Sequence, residues 1–168
     1  VEVNFNDING GSFSITVRKK LGGQQDEDKI MEILQQESHL GLSSINPYNE
    51  FARRIDIATK ELIQFVKTER AKGKMIAALG ASTKGNVLLQ YCKFTEDDIS
   101  FIGEVNEEKL GCFTPGTFIP IISEKDLLNK NPDYLIVLPW HFKDFFINNE
   151  KFSSTKLVFP LPKIEIYG

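Results

Sequence analysis

The chain has 168 residues, 41% hydrophobic and 26% charged, with a net charge of −3, a composition typical of a single globular domain able to build its core without disulfide or metal staples. The mixed charge excludes a basic field for a nucleic-acid backbone, and no apolar run approaches the roughly 18 residues that cross a bilayer. Cys92 and Cys112 have no CxxC partner and there is no secretory signal, which predicts reduced thiols in a cytoplasmic protein rather than a zinc site.

The first residue is valine, so a piece of a longer polypeptide is expected. Residues 1–20 alternate apolar and polar on both sides of Asn9-Gly10-Gly11, with Val1, Val3 and Phe5 before the turn and Phe13, Ile15 and Val17 after it. Period-two patterning around such a turn predicts a β-hairpin. A lone hairpin is marginal in water, so it should pair with another sheet. LGGQQ, residues 21–25, reads as a flexible joint. From Asp26 to about Ser38, Ile30, Met31, Ile33 and Leu34 recur at helical spacing behind three acids, and Gly41 ends the run. Asn46 caps a longer helix with Pro47 at its first position; Phe51, Ile55, Ala58, Leu62, Phe65 and Val66 form its stripe up to about Lys72, and Gly73 stops it.

The rhythm then becomes strand, helix, strand. KMIAALG, ISFIGEV, FIPII, DYLIVLPW, KLVFPLP and KIEIYG read as strands, and KGNVLLQYC, EKDLLNK and HFKDFFINN as helices. Continuous apolar strands alternating with helices predict a parallel sheet covered on both faces. The expected fold is α/β: a Rossmann-like three-layer α/β/α domain with a mostly parallel sheet at 74–168. A terminal hairpin at 1–20 and a two-helix connector at 21–73 that packs on the sheet precede it.

Three segments fall at the carboxyl ends of these strands, where open α/β sheets bind ligands. In LGASTKGN, Gly80 permits a tight turn and Ser82 or Thr83 caps a helix. The first-turn N–H groups, with Lys84, form an anion site. In EVNEEKLGCFTPGTFIPI, Glu104 follows a strand, where it would accept from a sugar hydroxyl. Lys109 is within reach of a phosphate, and Pro115-Gly116-Thr117 is a turn carrying a hydroxyl. In LPWHFKD, Trp140 offers a surface for stacking on a base or sugar and His141 a donor. Taken singly, the three also fit a capped turn with a solvated lysine, a plain surface loop, and a tryptophan sealing the core. Their convergence on one edge of one sheet favours a binding crevice.

Together these segments resemble the C-terminal domain of the sugar-nucleotide C-methyltransferases, which use S-adenosylmethionine to methylate a carbon of a nucleoside-diphosphate deoxyketosugar. The resemblance rests on Gly10-Gly11-Ser12; Gly80-Ala81-Ser82-Thr83-Lys84-Gly85; Glu104, Asn106, Lys109 and Gly111; Pro115-Gly116-Thr117 with Ile119-Pro120-Ile121; Asp133-Tyr134; and Leu138-Pro139-Trp140-His141-Phe142-Lys143-Asp144. It covers nearly the whole chain in order. Four positions depart from the family pattern: Asn9 for a common His, Glu104 for Asp, His141 for Asn and Phe145 for Glu. The resemblance implies that residues 80–85, with Glu104, Asn106, Lys109, Pro115, Gly116, Thr117, Trp140 and His141, bind the sugar nucleotide. It also implies that zinc, S-adenosylmethionine and the catalytic Tyr-His-Glu-His motif belong to upstream domains of the same polypeptide. This chain itself then carries no catalytic residues and binds no cofactor. A stand-alone nucleotide or coenzyme A module and a ligand-free scaffold are the rival readings.

Overall fold

A computed structural model describes residues 2–17, 19 and 27–168. Residues 1–54 and 55–168 form two compact units.

The first unit opens on a hairpin. Strand β1 (Glu2–Asn6) pairs antiparallel with β2 (Ser12–Thr16), with Val3 opposite Ile15 and Phe5 opposite Phe13. The two phenyl rings lie 6.4 Å apart, as the period-two pattern predicts. Helix α1 (Glu27–His39) lies beside β1, with Lys29 Nζ donating to Asn4 Oδ1 at 3.5 Å. The flexible joint expected at 21–25 lies outside the described residues, as do Val1 and Asp26.

Helix α2 (Asn46–Ala71) runs from one unit into the next. Its later turns bury Ala58, Leu62 and Val66, positions separated by four residues that form one face of a helix. The second unit is built on six strands: β3 (Ile76–Leu79), β4 (Ile102–Glu104), β5 (Ile121–Ser123), β6 (Tyr134–Val137), β7 (Lys156–Phe159) and β8 (Glu165–Tyr167). Their order is β5-β4-β3-β6-β7-β8, parallel throughout except for the antiparallel β7–β8 edge. The chain steps outward from β3 through β4 to β5, then returns to β3's other side at β6. That reversal is the topological switch point at which open α/β sheets bind ligands.

Side chains alternate across the sheet. Ile76, Ala78, Ile102, Ile121, Ile136 and Val158 face a core closed by α2 and by α3 (Thr83–Tyr91), through Leu62, Val66, Leu88 and Leu89. Ala77, Leu79, Leu135, Val137, Leu157 and Phe159 face a second core. Helix α4 (Glu124–Asn129) closes that core with Leu127, and α5 (Lys143–Ile147) closes it with Phe146. Both sheet faces are therefore covered, which accounts for the central strands β3 and β6, buried at every position.

Several elements are shorter than expected. FIPII yields a strand only from Ile121; Pro120 has no N–H for a ladder and makes an isolated bridge to Phe113. The strand in DYLIVLPW stops at Val137, before Pro139. HFKDFFINN divides into a 3-10 turn over Trp140–Phe142 and the five-residue α5.

Candidate functional site

Strand β3 ends in Gly80, whose φ of +79° suits a residue without a Cβ. A Cβ there would also lie 2.9 Å from Pro139 Cδ. Ser82, in an extended conformation, is the N-cap of α3, and its Oγ accepts from the Gly85 N–H at 3.0 Å. This satisfies one of the donors that a helix leaves without an intrahelical acceptor in its first turn. Gly85 brings α3 close to the end of β6, since a Cβ on it would stand 2.5 Å from Leu138 Cβ. The opening turn of α3 is thus pressed against the segment that follows β6, at the switch point.

Glu104 closes β4 and is buried. Its Oε1 accepts from the N–H groups of Val105 at 2.8 Å and Asn106 at 3.1 Å, and its Oε2 accepts from the Ala81 N–H at 2.9 Å. Lys109 Nζ donates to Ala81 O at 3.0 Å and lies 3.4 Å from Glu104 Oε2. Burial opposes the charge on this carboxyl. The Asn106 and Val105 N–H groups, the Lys109 ammonium and the Ala81 N–H outweigh that opposition and hold it below the usual carboxylate range. The pair expected to meet sugar and phosphate thus braces the turn at Ala81. Asn106 caps a 3-10 turn, its Oδ1 accepting from the Glu108 N–H at 3.0 Å.

The 115–117 turn leans on α3: Gln90 Nε2 donates to Pro115 O at 2.9 Å, and Gly116 sits against the Gln90 side chain. The buried Thr117 hydroxyl pairs with that of Thr114 at 2.5 Å and borders a separate recess with Phe113 and Phe118. Pro115 therefore reaches the crevice, while the Thr117 hydroxyl is used within its own turn.

Trp140 packs against both cores at the end of β6. The rings of Trp140 and His141 are 6.2 Å apart and nearly perpendicular. Burial first, and the charge of Lys84 second, lower the His141 pKa. His141 Nδ1 is buried without a hydrogen-bond partner.

Two clefts flank the 80–83 turn and share Ser82 and Lys109. One, of about 390 Å³, lies between α3 and residues 108–115. The other, of about 490 Å³, reaches from Gly80 and Glu104 to Phe142, Phe145 and Lys151, whose ammonium pairs with Glu124. Asn86, Phe113 and Lys151 are among the cleft residues that sequence reasoning missed; Phe142 and Phe145 enter it only through the family pattern. Asn86 sits in the same turn-to-helix stretch as the predicted anion site, one helical turn beyond the Ser82 cap, which was the available signal. Among the described residues no three His, Cys, Asp or Glu side chains are grouped to hold a metal ion, and no helix is long and apolar enough to cross a membrane.

Comparison with known proteins assigns this architecture. Residues 7–162 match the family model described as C-methyltransferase C-terminal domain. The C-methyltransferase NovU of Streptomyces niveus is 30% identical over 166 residues, an alignment covering 97% of this chain. The same alignment covers 40% of NovU, so the chain spans well under half the length of that relative.

Proposed function

This chain belongs to the family of C-methyltransferase C-terminal domains, and from that premise we propose that it holds the substrate of a methyltransferase acting on a carbon of a nucleoside-diphosphate deoxyketosugar. The observation that carries the reading is the Gly80–Gly85 turn at the switch point, where the Ser82-capped start of α3 packs against Leu138 and Pro139 after β6 and borders two clefts. The diphosphate docks at the N-terminal end of α3, where helix partial charge and the Lys84 ammonium add. Trp140 and His141 contact base or sugar from the β6 side, and Glu104 with Lys109 keeps the turn in shape. Positioning is the chain's contribution; holding a reacting carbon in line gains effective molarities on the order of 10⁵ M or more.

The family implies a methyl donor in the wider protein. The acid at the end of the second sheet strand, Glu104, is where a nucleoside donor's ribose would be held, and both of its oxygens are taken by backbone N–H groups. These residues do not fit the donor, and methyl transfer is assigned to the rest of the polypeptide, together with zinc. Residues 1–20 belong with that upstream methyltransferase domain and 21–73 link it to the binding domain; exposed Phe5, Phe13 and Ile15 support this assignment.

Calorimetric titration tests the reading. The chain is expected to bind a thymidine or uridine diphosphate sugar weakly, in preference to coenzyme A, and not to methylate it. Lys84→Ala should weaken that binding roughly tenfold, the order of one charge-assisted contact. Preference for coenzyme A would select the coenzyme module, and an indifferent Lys84→Ala a scaffold. Thiol chemistry supplies an independent check. Cys112 is exposed and lines the α3 cleft, whereas Cys92 is buried and its thiol is pushed up to about 11 by burial. Iodoacetamide should modify Cys112 alone, and saturating sugar nucleotide should slow that reaction several-fold. Equal rates with and without ligand would remove the ligand from this cleft.

A further inference from the structure

The cleft between α3 and residues 108–115 contains an unmatched polar atom. Asn86 Oδ1 is buried and has no hydrogen-bond partner. A buried acceptor left unmade costs free energy that a protein seldom tolerates without a use. Asn86 is four residues beyond the cap residue Ser82, with its own N–H bonded to Ser82 O at 2.9 Å. The two side chains therefore share one face of α3, separated by about one turn, 5.4 Å. Most of the cleft's surface is apolar, with Leu89, Leu138, Phe113 and Pro115 among its walls, while Ser82, Thr83, Glu108 and Lys109 also line it. A sugar placed there would strand several hydroxyls. A nucleobase fits better, because it offers two apolar faces and confines its polarity to one edge.

Resting on the sugar-nucleotide reading, we propose that this cleft is the nucleobase subsite and that Asn86 Oδ1 is the acceptor for a ring N–H on the base edge. With the diphosphate at the opening of α3, the base continues along the same helix face into the slot. Asn86 is then a specificity residue. It leaves an acceptor unsatisfied in the empty domain and pairs it only with a ligand that brings a donor.

The test uses the whole chain and four titrations: wild type and Asn86→Ala, each with uridine diphosphate and with its N3-methyl derivative, which lacks the ring N–H. Wild type should bind uridine diphosphate about 10- to 100-fold more tightly than the methylated probe, and Asn86→Ala should lose that much for the parent and no longer distinguish the two. Thermal unfolding of Asn86→Ala should be unchanged or slightly higher, because an unpaired buried acceptor has been removed; this separates lost recognition from lost fold. Equal binding of both probes by wild type, or undiminished binding by Asn86→Ala, overturns the base subsite and leaves the sugar-nucleotide reading standing. No binding of either probe to the folded wild-type chain overturns both.

Discussion

Glu104→Ala is expected to destabilise the domain by about 2–4 kcal/mol and to abolish measurable sugar-nucleotide binding. The substitution strands three N–H groups, on Ala81, Val105 and Asn106, and removes the counter-charge of Lys109. Removing one partner of a buried, charge-assisted cluster costs more than the cluster is worth as a whole, because the survivors stay desolvated. The Ala81 N–H lies in the 80–85 turn where the diphosphate is proposed to dock, so stability and binding should fall together. Glu104→Gln keeps the shape and removes the charge, which isolates the pH term. The folded carboxyl titrates below its usual value near 4.3. Its contribution is therefore complete above that value and is lost as pH falls through the lower, folded pKa. Glu69, Asp133 and Glu165 are also held low, so the informative quantity is the difference between wild type and Glu104→Gln in denaturant melts from pH 7 to pH 3. That difference should shrink below about pH 4.3. A pH-independent difference would show that the Glu104 charge contributes nothing.

Gly85→Ala is the second large effect, and two opposing terms decide its sign. Alanine is the better helix former by about 1 kcal/mol. Its methyl, however, would stand 2.5 Å from Leu138 Cβ and 3.0 Å from both Leu138 Cδ1 and Ser82 Oγ. The first of these is an atom fixed to the backbone of the segment after β6, so α3 must shift, and overpacking of this kind costs about 1–3 kcal/mol. A net loss of about 1–2 kcal/mol is expected, with phosphate affinity falling further because the turn is displaced from His141. An unchanged melting temperature with unchanged affinity would mean that the helix start does not depend on its contact with Leu138. Gly103 also lacks room for a Cβ, against Leu127 of α4 on the opposite face, but there the 2.6 Å contact is to the mobile Cδ2 and the Leu127 Cβ is 3.3 Å away.

Much of the architecture is legible in the chain. Period-two alternation around Asn9-Gly10-Gly11 predicts the hairpin, helical spacing from Phe51 to Val66 predicts the long helix, and apolar runs such as IAAL and YLIV predict strands buried on both faces. A cap at Ser82 or Thr83 and the tight turn at Gly80 follow from local chemistry, because a cap bonds a neighbour three residues on and a turn residue answers to its own φ; the structure places the cap on Ser82. These properties involve contacts between residues near each other in sequence. They survive any change in how the strands are ordered.

The site is different, because its geometry is made by long-range pairing. Placing β6 beside β3 brings residues 138–142 against 80–85, and no local pattern states that order. Glu104 and Lys109 have residue types that suit sugar and phosphate, yet they turn inward once Ala81, in the turn after β3, presents its N–H and C=O at hydrogen-bonding distance. Thr117 finds Thr114 within its own turn. Asn86 comes to line a cleft only when α3 and the 108–115 loop meet, and its buried Oδ1 is left without a partner only by what packs around it. By itself the sequence determined the elements, their caps and the family pattern, because these depend on near neighbours. The tertiary structure alone decided which polar atoms are spent on the scaffold and which remain for a ligand, because hydrogen-bond satisfaction is settled by whatever packs against each group.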